Sequence, residues 1–227
     1  MAFNHQVARV FLLHPVLLTA LAACSGPTGP SPLNPGGPDP DAARCAAFSD
    51  SRSAVYALPY DAGQRFKVTK TFGHETPMNG GVGRYAIDID LPMRTPVRAI
   101  RSGTVVAVQE AFSDNDHAVY HENWVMVRHA DNTVARYIHL AQNGASVEVG
   151  EAVEQGQLVG FSGNSGDSSA PHLHFDVQTC GPNLPPGYND APCGMTVPLS
   201  FRNTEPQTCG LEAGRSYTAA SFMPDLR

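Results

Sequence analysis

From Phe72 onward the chain offers apolar and β-branched runs of four to eight residues, each cut short by Gly, Pro or an Asp-Asn pair. Such punctuation leaves no room for a helix of more than two turns and demands short strands joined by tight turns. Residues 85–91 (YAIDIDL) alternate, placing Ile87, Ile89 and Leu91 on one face and Asp88 and Asp90 on the other. Residues 97–109 hold a strand, a turn at Ser102 and Gly103, and a second strand. Residues 124–129 and 134–140 flank Asp131, Asn132 and Thr133, the pattern of a hairpin. Gly150 and Gly156 lie too close together for helices between them. Residues 112–122 (FSDNDHAVYHE) interrupt this series as a polar insertion, expected as a loop at the rim of the sheet. The expected fold class is all-β, mainly antiparallel sheets of short hairpins.

The N-terminal segment reads as an address. Residues 10–23 (VFLLHPVLLTALAA) are too short and too broken for a transmembrane span and form the apolar part of a signal peptide, residues 1–23. The end, Leu21-Ala22-Ala23-Cys24, resembles a bacterial lipobox, which would make Cys24 the acylated first residue of the mature chain. Residues 25–40 hold six prolines and four glycines, so residues 24–43 are expected as an extended tether from a lipid anchor in the cell envelope. The folded domain is then residues 44–227, with a motif core at 72–178 and a C-terminal extension at 179–227. A net charge of −6, with only two lysines, gives no surface for a nucleic-acid backbone. Contact with membrane is expected through the anchor alone. Without Cys24, four cysteines remain in a compartment that permits disulfides: Cys45, Cys180, Cys193 and Cys209. They allow three pairings; Cys180 with Cys193 and Cys45 with Cys209 is the preferred one.

The chemistry concentrates on residues 171–177 (PHLHFDV). In a strand, Leu173, Phe175 and Val177 face a core while His172, His174 and Asp176 share the opposite face. Tyr137 and His139 share a face of a second strand by the same rule. Imidazole nitrogen and carboxylate oxygen together suit zinc. Neither HExxH nor GxSxG occurs, so a thermolysin-type helix and a serine nucleophile elbow are both excluded, and a hydrolase here would be metal-assisted.

Several stretches, in this order and spacing, resemble the lysostaphin/LytM-type zinc endopeptidases of bacterial peptidoglycan. They are Ile87-Asp88-Ile89, Thr95-Pro96-Val97, Gly103-Thr104-Val105, Val127-Arg128-His129, Tyr137-Ile138-His139-Leu140 and Pro171-His172-Leu173-His174-Phe175. The resemblance implies a duplicated-hybrid-motif-like LytM domain with a groove, one Zn2+ per chain, and peptidoglycan peptides as substrate. It implies that Asp88 and His174 are zinc ligands, and that His139 and His172 are the catalytic histidines that handle water and oxyanion. The family's remaining ligand is a histidine four residues before the aspartate, where this chain has Arg84, which stays protonated and cannot ligate. His74, on a loop that can fold back, is the favoured third ligand; His117 and His121 are substitutes. Arg94 is a smaller departure, standing where the family usually has glycine.

Three functions compete on these residues. The first is a zinc endopeptidase that cleaves peptide bonds of peptidoglycan. The second is an inactive lipoprotein of the same fold that activates cell-wall amidases, with a cell-wall enzyme as partner. The third is a disulfide-stapled binding module. In the tail, residues 197–203 are expected to add an edge strand, with the residues beyond Gly210 either mobile or covering the groove.

Overall fold

The computed structural model describes residues 45–72, 83–179 and 196–221, all within one unit, Pro38–Arg227. The segments expected as signal peptide and tether, with Cys24, as well as His74, Cys180 and Cys193, lie outside the described residues. Strands are β1 (Arg65–Lys70), β2 (Ile87–Ile89), β3 (Pro96–Arg98), β4 (Gly103–Gln109), β5 (Trp124–Arg128), β6 (Thr133–Ile138), β7 (Leu140–Ala145), β8 (Ala152–Val153), β9 (Leu158–Ser162), β10 (Leu173–Thr179) and β11 (Ser216–Thr218). A 3-10 turn at Ser51–Ser53, capped by the Asp50 carboxylate, precedes the strands.

Eight strands form one sheet in the order β11-β1-β2-β10-β6-β5-β4-β8, every pairing antiparallel, and β3-β9-β7 form a second. The all-β expectation therefore holds. Alternation decides which side of the large sheet meets the small one. Val68, Ile89, Val105, Val125, Val127, Tyr137, Leu173, Phe175 and Val177 form a single buried cluster with Val97 of β3, Leu140 of β7 and Val159 of β9. The hairpin at Asp131-Asn132-Thr133 closes with Asn132 at φ 66°, a conformation that asparagine tolerates well, and His129 N–H donates to Thr133 O at 2.8 Å.

The segments outside the hairpin repeat complete this core. Tyr56, Leu58 and Tyr60 enter it from the N-terminal side, and Leu199, Phe201, Leu211 and Tyr217 from the C-terminal side. The Cys45–Cys209 disulfide ties the two segments together, as the preferred pairing expected. The expected edge strand at residues 197–203 does not form. That stretch makes isolated bridges only, Gln178 with Thr196 and Tyr56 with Phe201, and Pro198 has no N–H to offer a ladder. The edge is supplied instead by β11, paired with β1 through Arg65 opposite Thr218 and Lys67 opposite Ser216. Residues 216–218 are thus part of the sheet rather than a mobile end or a cover.

Candidate metal centre and its histidines

On the face turned away from the main core, register brings the polar residues into rows. β10 pairs with β2 so that His174 stands directly opposite Asp88, and with β6 so that Asp176 stands directly opposite Arg136. Cross-strand partners on one face lie within side-chain reach. His174 Nδ1 is accordingly 3.0 Å from Asp88 Oδ1, and His174 Nε2 is 3.8 Å from Asp176 Oδ2. Asp176 is fully buried and takes a two-pronged grip from Arg136, with Nε donating to Oδ1 at 2.9 Å and Nη2 to Oδ2. Burial alone would raise the Asp176 carboxyl, but the Arg136 guanidinium and, after it, His174 together outweigh that and hold the group well below the usual carboxylate range. Burial likewise opposes charge on His174, yet the carboxylates of Asp176 and Asp88 on either side push it up to about 9. Lys70 Nζ, on a largely exposed side chain, lies 3.5 Å from Asp88 Oδ2.

Two further histidines complete the cluster from loops. His139 sits between β6 and β7 with φ 63°. This left-handed residue breaks the alternation that would have kept it beside Tyr137. Tyr137 is in the core, its hydroxyl accepting from Ile100 N–H at 2.8 Å, while the ring of His139 lies 4.5 Å from that of His172 and 6.1 Å from that of His174. The shared face expected for Tyr137 and His139 is thus corrected, because a single positive φ reverses the sense of the chain. Asp90, paired by alternation with Asp88, is also separated from it: β2 ends at Ile89, and Asp90 is exposed while Asp88 is buried.

Each loop histidine has its Nδ1 against a carbonyl, His139 at 2.8 Å from Ser165 O and His172 at 2.8 Å from Ala170 O. A carbonyl only accepts, so Nδ1 carries the hydrogen and Nε2 holds the lone pair. His172 Nε2 is 3.8 Å from Asp88 Oδ2. Burial first, and then the neighbouring imidazoles of His172 and His174, push His139 down to about 3. Burial also lowers His172, against the pull of Asp88. At neutral pH the two loop imidazoles are therefore neutral with lone pairs on Nε2, while His174 carries its proton between Asp88 and Asp176. Such loop imidazoles can accept a proton from a water molecule or donate one back.

Once the His174 ring gives up its proton to a bound cation, Asp88 and His174 offer a hard oxygen and an imidazole nitrogen side by side, a donor pair that fits a divalent cation such as zinc. Among the described residues no group of three His, Cys, Asp or Glu is placed to hold a metal. Of the two substitutes for a third ligand, one is engaged elsewhere and one is exposed. His121 Nδ1 lies 2.7 Å from Asp116 Oδ2 and its ring stacks on Phe112 at 4.4 Å, and His117 is exposed on the same insertion. Arg84 is exposed, its guanidinium carbon 5.2 Å from the centre of the Phe72 ring. Arg94 explains its own departure: it sits at φ 62°, where glycine costs nothing, and Nη2 donates to Gln142 O at 3.1 Å. Sequence reasoning missed the Arg136 partner of Asp176. Alternation puts Arg136 on the outward face, but no local signal says which strand lies beside it.

Residues 83–186 match the family described as Peptidase family M23. Lysostaphin of Staphylococcus staphylolyticus is 36% identical over 107 residues, 43% of this chain and 19% of the relative. The peptidoglycan DD-endopeptidase ShyA of Vibrio cholerae is 32% identical over 111 residues, 49% of this chain and 24% of the relative. The aligned stretch thus spans about a fifth to a quarter of the length of these relatives. A mutant catalytic domain of the prophage-encoded M23 protein EnpA from Enterococcus faecalis aligns at 27% identity over 63% of this chain and 93% of that one, with a TM-score of 0.45.

Proposed function

Through residues 83–186 the chain belongs to Peptidase family M23, the lysostaphin/LytM-type group, and from that premise we propose that it is a zinc-dependent endopeptidase hydrolysing peptide bonds of peptidoglycan. One observation carries the reading: the Asp88–His174 pair is flanked by two imidazole rings, His139 and His172, each with Nδ1 against a carbonyl and so with its lone pair on Nε2. A purely structural use of these residues gives no reason to gather three histidines, two of them buried, around one carboxylate.

Asp88 and His174 would hold the Zn2+, with His74 as third ligand. When bound, the cation supplies Lewis-acid activation of water and of the scissile carbonyl. The chain's own residues do the rest. One of His139 and His172 receives the proton of the attacking water at Nε2, because the Nδ1 position of each is already committed to a carbonyl. Once protonated, that ring's Nε2–H can stabilise negative charge on the tetrahedral carbon's oxygen and return the proton to the leaving amine. Asp176, held by Arg136, keeps the His174 ring oriented from behind, the arrangement by which an outer carboxylate fixes a ligand histidine. Anchored by Cys24 and held off by its Pro/Gly tether, the domain would act on peptidoglycan peptides in the cell envelope.

The arginine at position 84 keeps a second reading alive, an inactive member that activates a cell-wall amidase. Turnover separates the two. The mature chain is expected to bind one zinc and to release peptide fragments from purified peptidoglycan in a manner abolished by chelation. One zinc per chain with no fragments released would transfer the proposal to the activator.

A further inference from the structure

The polar insertion at residues 112–122 has no part in the mechanism just described, yet its contacts converge on the loop that sets the two loop histidines. Glu122 is buried, with 2% of its surface exposed, and Oε1 accepts from Asp167 N–H at 3.2 Å. Its side chain lies in a gap that only glycine leaves: a Cβ on Gly166, at φ 73°, would stand 2.3 Å from Glu122 Cγ. Gly166 N–H donates to Asp116 O at 2.8 Å, and Asn164 N–H donates to Asp114 Oδ1 at 3.1 Å. Asn123 N–H donates to Ser165 Oγ at 2.9 Å, and that hydroxyl donates to Leu140 O at 2.8 Å. Each residue from Asn164 to Asp167 is therefore tied to residues 114–123.

The same short loop carries what orients the histidines. Ser165 O receives the Nδ1 hydrogen of His139, and Ser168 Oγ, bonded to Asn164 Oδ1 and Ala170 O, lies 3.1 Å from His172 Nδ1. The insertion is itself rigidified, by Asp116 against His121 and by His121 stacked on Phe112. Glu122 Oε2 is buried without a hydrogen-bond partner, a cost that leaves the hold of Oε1 on Asp167 N–H and the packing against Gly166 as the described uses of this side chain.

We propose that Glu122, at the base of the insertion, is a positioning residue for His139 and His172: it locks the 164–168 loop so that both rings keep hydrogen on Nδ1 and present Nε2 to the substrate. This rests on the endopeptidase reading for its consequence in turnover, but the tautomers are a property of the chain alone. Misplacing a catalytic group by about 1 Å can cost about a hundredfold in rate.

The test compares wild type, Glu122→Ala and Glu122→Gln as full mature chains. Glutamine keeps an Oε1 acceptor for Asp167 N–H; alanine does not. Long-range proton–nitrogen spectra of histidine-labelled protein are expected to show the Nδ1–H tautomer at His139 and His172 in wild type and Glu122→Gln, and a tautomer mixture in Glu122→Ala. On purified peptidoglycan, kcat of the alanine variant is expected to fall about 10- to 100-fold, with KM and zinc content within about twofold of wild type, and glutamine is expected to restore it. Wild-type tautomers in Glu122→Ala would overturn the proposal, as would a glutamine variant as impaired as the alanine one. If wild type itself releases no fragments, the endopeptidase reading fails and the tautomers still decide this one. Should the alanine chain not fold, Glu122→Asp, one methylene too short to reach Asp167, is read in the same way.

Discussion

The two halves of the histidine cluster are built on opposite principles. Asp88, His174, Asp176 and Arg136 lie on the central strands β2, β10 and β6, and their contacts follow from register: the residues that must touch stand opposite one another in the ladder. His139 and His172 lie where strands end, and their orientation depends on one left-handed residue and a few loop hydrogen bonds. A ladder of many backbone bonds resists local change, whereas a loop opens more easily. The division suits the proposed roles, since a cation needs fixed donors and a proton relay needs rings placed for one particular hydrogen bond.

The largest expected effect breaks the comparison outright. His174→Ala should remove both the bound zinc and the turnover, while His139→Ala should lower kcat by about 10²- to 10⁴-fold with the zinc retained. Elemental analysis beside peptidoglycan kinetics checks both, and zinc lost equally from the two variants would show that the halves do not divide the work. Next in size is the support behind the strand half. Asp176→Asn leaves Arg136 without its counter-charge and should destabilise the fold by about 3–5 kcal/mol in denaturant titration, because a buried ion lacking its partner keeps its full desolvation cost. A loss below about 1 kcal/mol would mean that the pair is solvated.

A smaller effect sharpens the contrast with a histidine that belongs to neither half. His129 closes the β5–β6 hairpin, with Nδ1 2.9 Å from Thr133 Oγ1 and Nε2 buried without a hydrogen-bond partner. Burial first, then the Arg101 guanidinium, lowers it from 6.5 to about 4, with Asp131 pulling the other way. The unfolded chain therefore takes up a proton below about pH 6.5 that the folded chain refuses until about pH 4. Stability should be unaffected by this group above pH 6.5 and should fall across that window, by up to about 3 kcal/mol at 1.4 kcal/mol per pH unit. His129→Asn should flatten this part of the stability profile; an unchanged slope would assign the acid sensitivity to the site histidines.

Much of the strand half was legible because alternation is a local rule. The sequence PHLHFDV separates Leu173, Phe175 and Val177 from His174 and Asp176, and the structure keeps that separation. The same rule failed at His139 because a positive φ leaves no mark on a sequence unless glycine or asparagine occupies the position. It failed again at residues 197–203, where an apolar run containing Pro198 looked like an edge strand and the edge went to Ser216–Thr218. The partnership of Asp176 with Arg136, and the grip of Glu122 on Asp167, join residues forty or more positions apart, and no local pattern carries such a distance.

By itself the sequence determined the class of structure and the chemical repertoire: short strands enforced by turn residues, an apolar face on each, and a set of imidazoles and carboxylates suited to metal-assisted hydrolysis. Which of those groups meet was decided only by tertiary structure. Side-chain alternation is fixed by the geometry of a single extended chain, whereas strand order, register and the docking of one loop on another depend on the whole core closing at once.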